Sequence, residues 1–329
     1  MNALFLSFRQ TLGSPRLVWL LYGLTLGLGL LAALPLYNTL IAEDQNSLAF
    51  LNLLNGFDYT VFSDFMHRSG RAISPLMSVG RWLGILYVLL SVFVAGGILE
   101  RFAQLSVAQT RVPLQVSTFL AACSQYGGRF LRLFGVTCLF VLVGAGLWLV
   151  IGTLVGMTLS DTLTERGIFW VGLVFFILFV LTATLLLCIG DYAKVLMFRE
   201  NEHNAFRAFG RAGRLVWPNL GRTFGPYWLL IGIGTGLFGL YFLIDDLITM
   251  RSWPTILIMF VVQQALIFAR AGLKVWSLGT AYRVYEGLPK PAPTVLPILV
   301  AEPADEPQPF QKPNGDKPGA ASTTDVIDG

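Results

Sequence analysis

The chain has 329 residues, of which 55% are hydrophobic and 13% charged, with a formal net charge of +4 and a mean hydropathy of +0.66. A soluble chain of this size carries about 25% charged residues, so the composition is that of a polytopic helical membrane protein. The small positive balance reads as one basic membrane face and excludes a nucleic-acid surface. Cys123, Cys138 and Cys188 are far apart and make no C-x-x-C pair, and His67 and His203 sit in no metal-ligand spacing. No metal, cofactor or nucleic-acid partner is expected.

The elements follow in order. Residues 1–16 predict an amphipathic approach helix, with Leu4, Phe5 and Phe8 dipping into the interface and Arg9 and Arg16 at the headgroups. The apolar run that follows, about 25 residues, is too long for a signal-peptide core and predicts an uncleaved first span at about 17–41. The loop after it begins with Glu43 and Asp44, and its stretch 45–66 is apolar without reaching a full span. Interfacial helices on the outer surface fit that pattern. Span 2 covers about 76–99, with Arg81 snorkelling near its outer end. Spans 3 and 4, about 133–159 and 168–190, enclose a tight outer turn. Spans 5 and 6, about 227–243 and 253–282, enclose an outer turn with Asp245, Asp246 and Arg251. The end of span 6, with Arg270 and Lys274, is expected to project into the cytoplasm.

Between spans 4 and 5 lies Asp191–Arg222, with six basic residues against three acids. Placing that stretch in the cytoplasm puts eighteen basic residues inside and five outside, the balance that the positive-inside rule favours. The expectation is six spans (residues 1–288) in the inner (plasma) membrane, with both termini cytoplasmic. Nine of the 16 prolines fall in 289–329, where six acids face three lysines. Such a segment cannot bury a core and is expected to be a disordered cytoplasmic tail, suited to docking a protein partner.

Three segments ahead of spans 1, 3 and 5 echo one another: FRQTLGSPRLVWLLYG, FLAACSQYGGRFLRLFG and FRAFGRAGRLVWPNLG. Each reads as an elbow, an inner-face amphipathic helix followed by a Gly or Pro break and entry into the bilayer. Arg16, Arg129 and Arg214 then fall at the inner headgroup level as candidate lipid contacts. Four G-x-x-x-G pairs, Gly23/Gly27, Gly80/Gly84, Gly152/Gly156 and Gly232/Gly236, are candidates for close helix contact.

Polar groups inside spans are few. Gln263 and Gln264 are the candidate intramembrane polar site, with interhelical hydrogen bonding as the plainer use. Asp191 and Lys194, one turn apart, read as a solvated ion pair at a helix end. No catalytic constellation is present, and Asp58, Asp64 and His67 would supply one only by converging in a cleft.

Asp191–Val195 (DYAKV) and Ala205–Phe209 (AFRAF) together resemble a cytoplasmic segment of prokaryotic six-span proteins of unknown function. Among these are the membrane domains sometimes joined to glycerophosphodiester phosphodiesterases. The resemblance implies a bacterial-type inner membrane. This chain has no stretch long and polar enough for the soluble phosphodiesterase domain. The expectation for function is a non-enzymatic membrane protein that binds lipid or protein partners in an accessory role. The alternative is a transporter of a small or amphiphilic solute.

Overall fold

The apolar runs fold as long helices, because a backbone in lipid must satisfy its own hydrogen bonds. The computed structural model describes residues 2–44, 59–60, 63, 70–107, 114–159, 162, 164–248 and 253–288. In chain order these form α1 (Asn2–Leu12), α2 (Pro15–Asp44), α3 (Gly70–Val107), α4 (Val116–Leu159) and α5 (Glu165–Glu200). Then follow α6 (Ala205–Val216), a 3₁₀ turn at Trp217–Asn219, α7 (Leu220–Leu247) and α8 (Trp253–Gly287). No strand occurs among the described residues.

Six stretches are long and apolar enough to cross a membrane: Pro15–Pro35, Met77–Val107, Val116–Leu159, Glu165–Glu200, Ala205–Leu247 and Trp253–Gly287. The protein is an all-α polytopic membrane protein. The chain divides into Met1–Leu288 and Pro289–Gly329. The second unit lies outside the described residues, as do Asp58, Asp64, His67 and all of 45–66 except Tyr59, Thr60 and Ser63.

Helices α3, α4 and α5 pack in succession, and α6 folds back on α5 and α4. Helix α8 is the hub and touches α1, α2, α3, α5 and α7, while α7 rests chiefly on α8. The buried core lies at the end of the bundle that carries α1 and α6, here termed the elbow end. It comprises Val92–Phe102 of α3, Phe119–Val136 of α4, Cys188–Met197 of α5 and Ala271–Tyr285 of α8 at their inward-facing positions. Toward the far end, leucines such as Leu31, Leu142, Leu154 and Leu243 stay exposed. Lipid is as apolar as leucine, so no hydrophobic term pulls these faces together.

Two of the three expected elbows are present. The α-helix is interrupted at Gly13–Ser14 before α2, and by the 3₁₀ turn Trp217–Asn219 before α7. The third is corrected: α4 runs unbroken through Gly127 and Gly128 for 44 residues. At about 1.5 Å per residue it is about 66 Å long, twice a hydrocarbon core of about 30 Å. Gly127 serves a close approach instead, since a Cβ there would lie 2.5 Å from the Phe93 ring.

The glycine expectation also changes. A Cβ added at Gly23, Gly27, Gly80, Gly84, Gly156, Gly232 or Gly236 meets nothing within 4 Å, and Gly152 makes only ordinary contact with Phe175. Among the tight positions are Gly97, against Phe119 and Cys123, and Gly279, against Phe102. Both lie in the elbow-end core, where side chains interlock.

Helix α1 turns its hydroxyl stripe inward. Ser7, Thr11 and Ser14 recur at helical spacing and are buried, whereas Phe5 and Leu12 are exposed. Ser7 shares a 2.8 Å hydrogen bond with Thr280 of α8, and the Trp276 indole donates to the Leu4 carbonyl at 3.1 Å. Helix α6 has the opposite pattern. Ala205, Ala208, Phe209, Ala212 and Val216 face the protein, and Phe206, Arg207 and Arg214 face away. Asn204 caps it, its side-chain oxygen accepting from the Phe206 and Arg207 amides.

Candidate functional site

The two intramembrane glutamines part company. Gln263 donates to the Tyr241 hydroxyl of α7 at 3.1 Å, and Gln264 accepts from the Tyr22 hydroxyl of α2 at 2.8 Å. They tie α8 to different neighbours and form no common site. Arg16 and Arg214 are exposed at the elbow end. Arg129 is half-buried, donates to the Asn201 side chain and lies 5.7 Å over the Tyr126 ring. Asn201 holds the left-handed conformation that ends α5 (φ 51°), so Arg129 braces that turn.

The charged groups held inside the bundle are others. Asp191 and Lys194 pair at 2.7 Å with about a fifth of each side chain exposed. Lys274, half-buried on α8, donates to the Ser91 hydroxyl of α3 at 2.6 Å. This corrects the expectation of a solvated pair on α5 and of a projecting Lys274. All three side chains line one cavity of about 340 Å³ between α3, α4, α5, α7 and α8. Its wall also holds Tyr87, Thr137, Tyr227 and Ser277, with Val88, Phe134 and Leu187 as apolar lining.

A second cavity, about 360 Å³, opens between α7, α8 and α5. It shares Asp191, Tyr227, Lys274 and Ser277 with the first, and continues past Leu230, Ile231 and Gly234 to Phe238. Arg270 stands at that end with its guanidinium 4.9 Å from the Phe238 ring. Lys274 and Arg270 are four residues apart on α8, one above the other on the same face. Lys274 therefore stands where the two cavities meet.

A larger opening, about 630 Å³ between α4 and the start of α6, is a surface groove with Arg132 and His203 exposed at its rim. Exposed charge is screened by salt and water, so the chemistry concentrates at Lys274. Among the described residues no group of three His, Cys, Asp or Glu side chains could hold a metal ion. The cavity can bind through two ammonium groups, one carboxylate and several hydroxyls.

Outside the cavities, ion pairs join the helix ends. Glu200 pairs with Arg211 and accepts from the Tyr285 hydroxyl at 2.7 Å. Glu286 holds both Arg199 and Arg283, and Arg283 also reaches Gln10 of α1.

These features define a helical integral membrane protein with a polar, cationic cavity within its bundle. Comparison with protein-family models, curated proteins and solved structures finds no match. The residues of Lys274's cavity therefore carry the functional reading.

Proposed function

We propose that this is a non-enzymatic inner-membrane protein that holds an anionic membrane lipid, with the phosphate at Lys274 and a chain in the groove between α7 and α8. The observation that carries it is Lys274, a cation inside the bundle at the junction of two cavities that mix apolar walls with the polar groups of Asp191, Tyr227 and Ser277. Counted from Trp253 at about 1.5 Å per residue, Lys274 lies about 32 Å along α8, close to the full hydrocarbon thickness of about 30 Å. A lipid of that leaflet has its phosphate at the same depth. Its chain then runs back past Leu230, Ile231 and Gly234.

The test is native mass spectrometry of the full chain from mild detergent. Lys274→Met is expected to lower retention of anionic lipid about tenfold, the worth of one charge-assisted hydrogen bond. Equal retention in wild type and Lys274→Met would sink the proposal.

The elbow end belongs in the cytoplasm on this reading, where Arg16 and Arg214 add peripheral attraction to anionic lipid of about 1 kcal/mol each. The tail Pro289–Gly329 serves an accessory role by docking a protein partner. Deleting it should abolish protein co-purification and leave lipid retention as it was.

Transport of an amphiphilic solute is the second reading, favoured by the two cavities sharing Lys274. Exchange of labelled lipid between leaflets of proteoliposomes above the protein-free rate supports it, and the protein-free rate alone excludes it.

A further inference from the structure

The phosphate seat at Lys274 leaves Arg270 unexplained, one turn away on the same face of α8. We infer that the two cations share one phosphate, and that the lipid ends in a dianionic phosphate monoester. The inference rests on the reading that Lys274 holds a lipid phosphate.

Charge is the first argument. Lys194, Lys274 and Arg270 line the two joined cavities against one carboxylate, Asp191, so the walls carry two positive charges in excess. Asp191 is held by Lys194 at 2.7 Å. Among the described residues neither Lys274 nor Arg270 forms an ion pair. Lys274 donates to the neutral Ser91 hydroxyl, and Arg270 lies over the Phe238 ring. Like charges four residues apart on a helix repel. A phosphodiester carries one negative charge and offsets half of the excess. A terminal phosphate carries about 1.5 to 2 at neutral pH and offsets most or all of it.

Depth is the second argument. At about 1.5 Å per residue, Arg270 lies about 6 Å nearer the bilayer centre than Lys274. Its side chain is exposed at the cavity mouth, yet it does not reach back to the elbow-end headgroups. Gly234 of α7 stands opposite Leu273 of α8. Arg270 is three residues farther from the elbow end than Leu273, and Phe238 four residues farther than Gly234, so a guanidinium over the Phe238 ring stays at its own depth. A cation held at that level is costly without a partner, and such groups mark ligand sites.

Geometry is the third. Side chains at i and i+4 start about 5–6 Å apart, and both of these are long enough to converge on one phosphate. Arginine presents a planar fork to two oxygens, and lysine a point charge to another. A monoester offers three terminal oxygens, where a diester offers two.

The experiment uses the full chain in mild detergent at neutral pH. An equimolar mixture of phosphatidic acid, phosphatidylglycerol and cardiolipin with the same acyl chain is added, and retained lipid is read by native mass spectrometry. A lipid-free sample is offered inorganic phosphate in parallel. Phosphatidic acid should exceed phosphatidylglycerol about tenfold, the worth of one charge-assisted hydrogen bond. Arg270→Gln should bring that ratio toward one, and the phosphatidylglycerol it still retains shows that the variant is folded. Phosphatidylglycerol retained as well as phosphatidic acid by the wild type overturns the monoester alone, provided Lys274→Met loses both. Cardiolipin, which brings two charges on two diesters, overturns the single shared phosphate if it matches phosphatidic acid. An unchanged ratio in Arg270→Gln overturns the part given to Arg270. Retention of no lipid, with or without bound inorganic phosphate, overturns the lipid reading and this inference with it.

Discussion

Phe102 and Gly279 meet so closely that a Cβ on the glycine would come within 2.1 Å of the ring. The ring is 1% exposed and cannot swing aside. Gly279→Ala is therefore expected to cost about 1–3 kcal/mol, the usual penalty of overpacking, and to lower the thermal midpoint in detergent. Gly236→Ala, into open space, should leave the midpoint unchanged or raise it slightly, because alanine favours helix. G-x-x-x-G spacing alone points to the wrong glycines. It marks where two helices could touch, whereas the faces that touch are set by register, and Gly232 and Gly236 lie away from any neighbour. Lys274 was hidden for the same reason. Its sequence neighbours, Leu273 and Val275, say nothing of Ser91, which lies 183 residues earlier in the chain and across the bundle.

At the scale of the element, α6 depends on its first turn. Replacing Asn204 with alanine removes the acceptor for two amides and should cost about 1 kcal/mol. Hydrogen exchange at the Phe206 and Arg207 amides is expected to speed up while the amides around Val195 stay protected. Helix α1 depends instead on small hydroxyl residues. Ser7 is fully buried against α8, so Ser7→Leu should push α1 off and open Gln10 and Thr11 to protease, whereas Phe5→Ser, at a position 71% exposed, should not. The amphipathic pattern of α6 was legible because Ala208, Ala212 and Val216 recur at helical spacing beside Arg207, Arg211 and Arg214. The pattern of α1 was legible only as an outline. Hydropathy marks Phe5 as apolar, but it does not tell that serines and threonines form the contact face, since a hydroxyl stripe reads as polar surface until a partner helix is seen.

For the whole molecule, the six spans were readable because hydropathy adds along a segment and needs no knowledge of neighbours. All six expected spans fall within the helices, and the helices extend further at the elbow end, where Arg199, Arg211 and Arg283 meet Glu200 and Glu286. Those extensions were not legible as core, because their charges look solvated and are in fact bonded to one another. The proposal that the elbow end is cytoplasmic predicts that a green fluorescent protein fused after Leu288 is bright and that alkaline phosphatase fused there is inactive. The reverse pattern would invert the orientation.

The contact between Ser7 and Thr280 sets a schedule for biosynthesis. The two residues are 273 positions apart, and ribosomes extend a chain at about 5–20 residues per second, so α1 waits roughly 14–55 s for its partner to be made. During that interval α2, α3 and α5 also lack their hub, and the wall of the lysine cavity is missing the side that α8 supplies. Insertion of each span and closure of the bundle are therefore separate events. Until α8 is made, the buried hydroxyl of Ser7 has no Thr280 to meet.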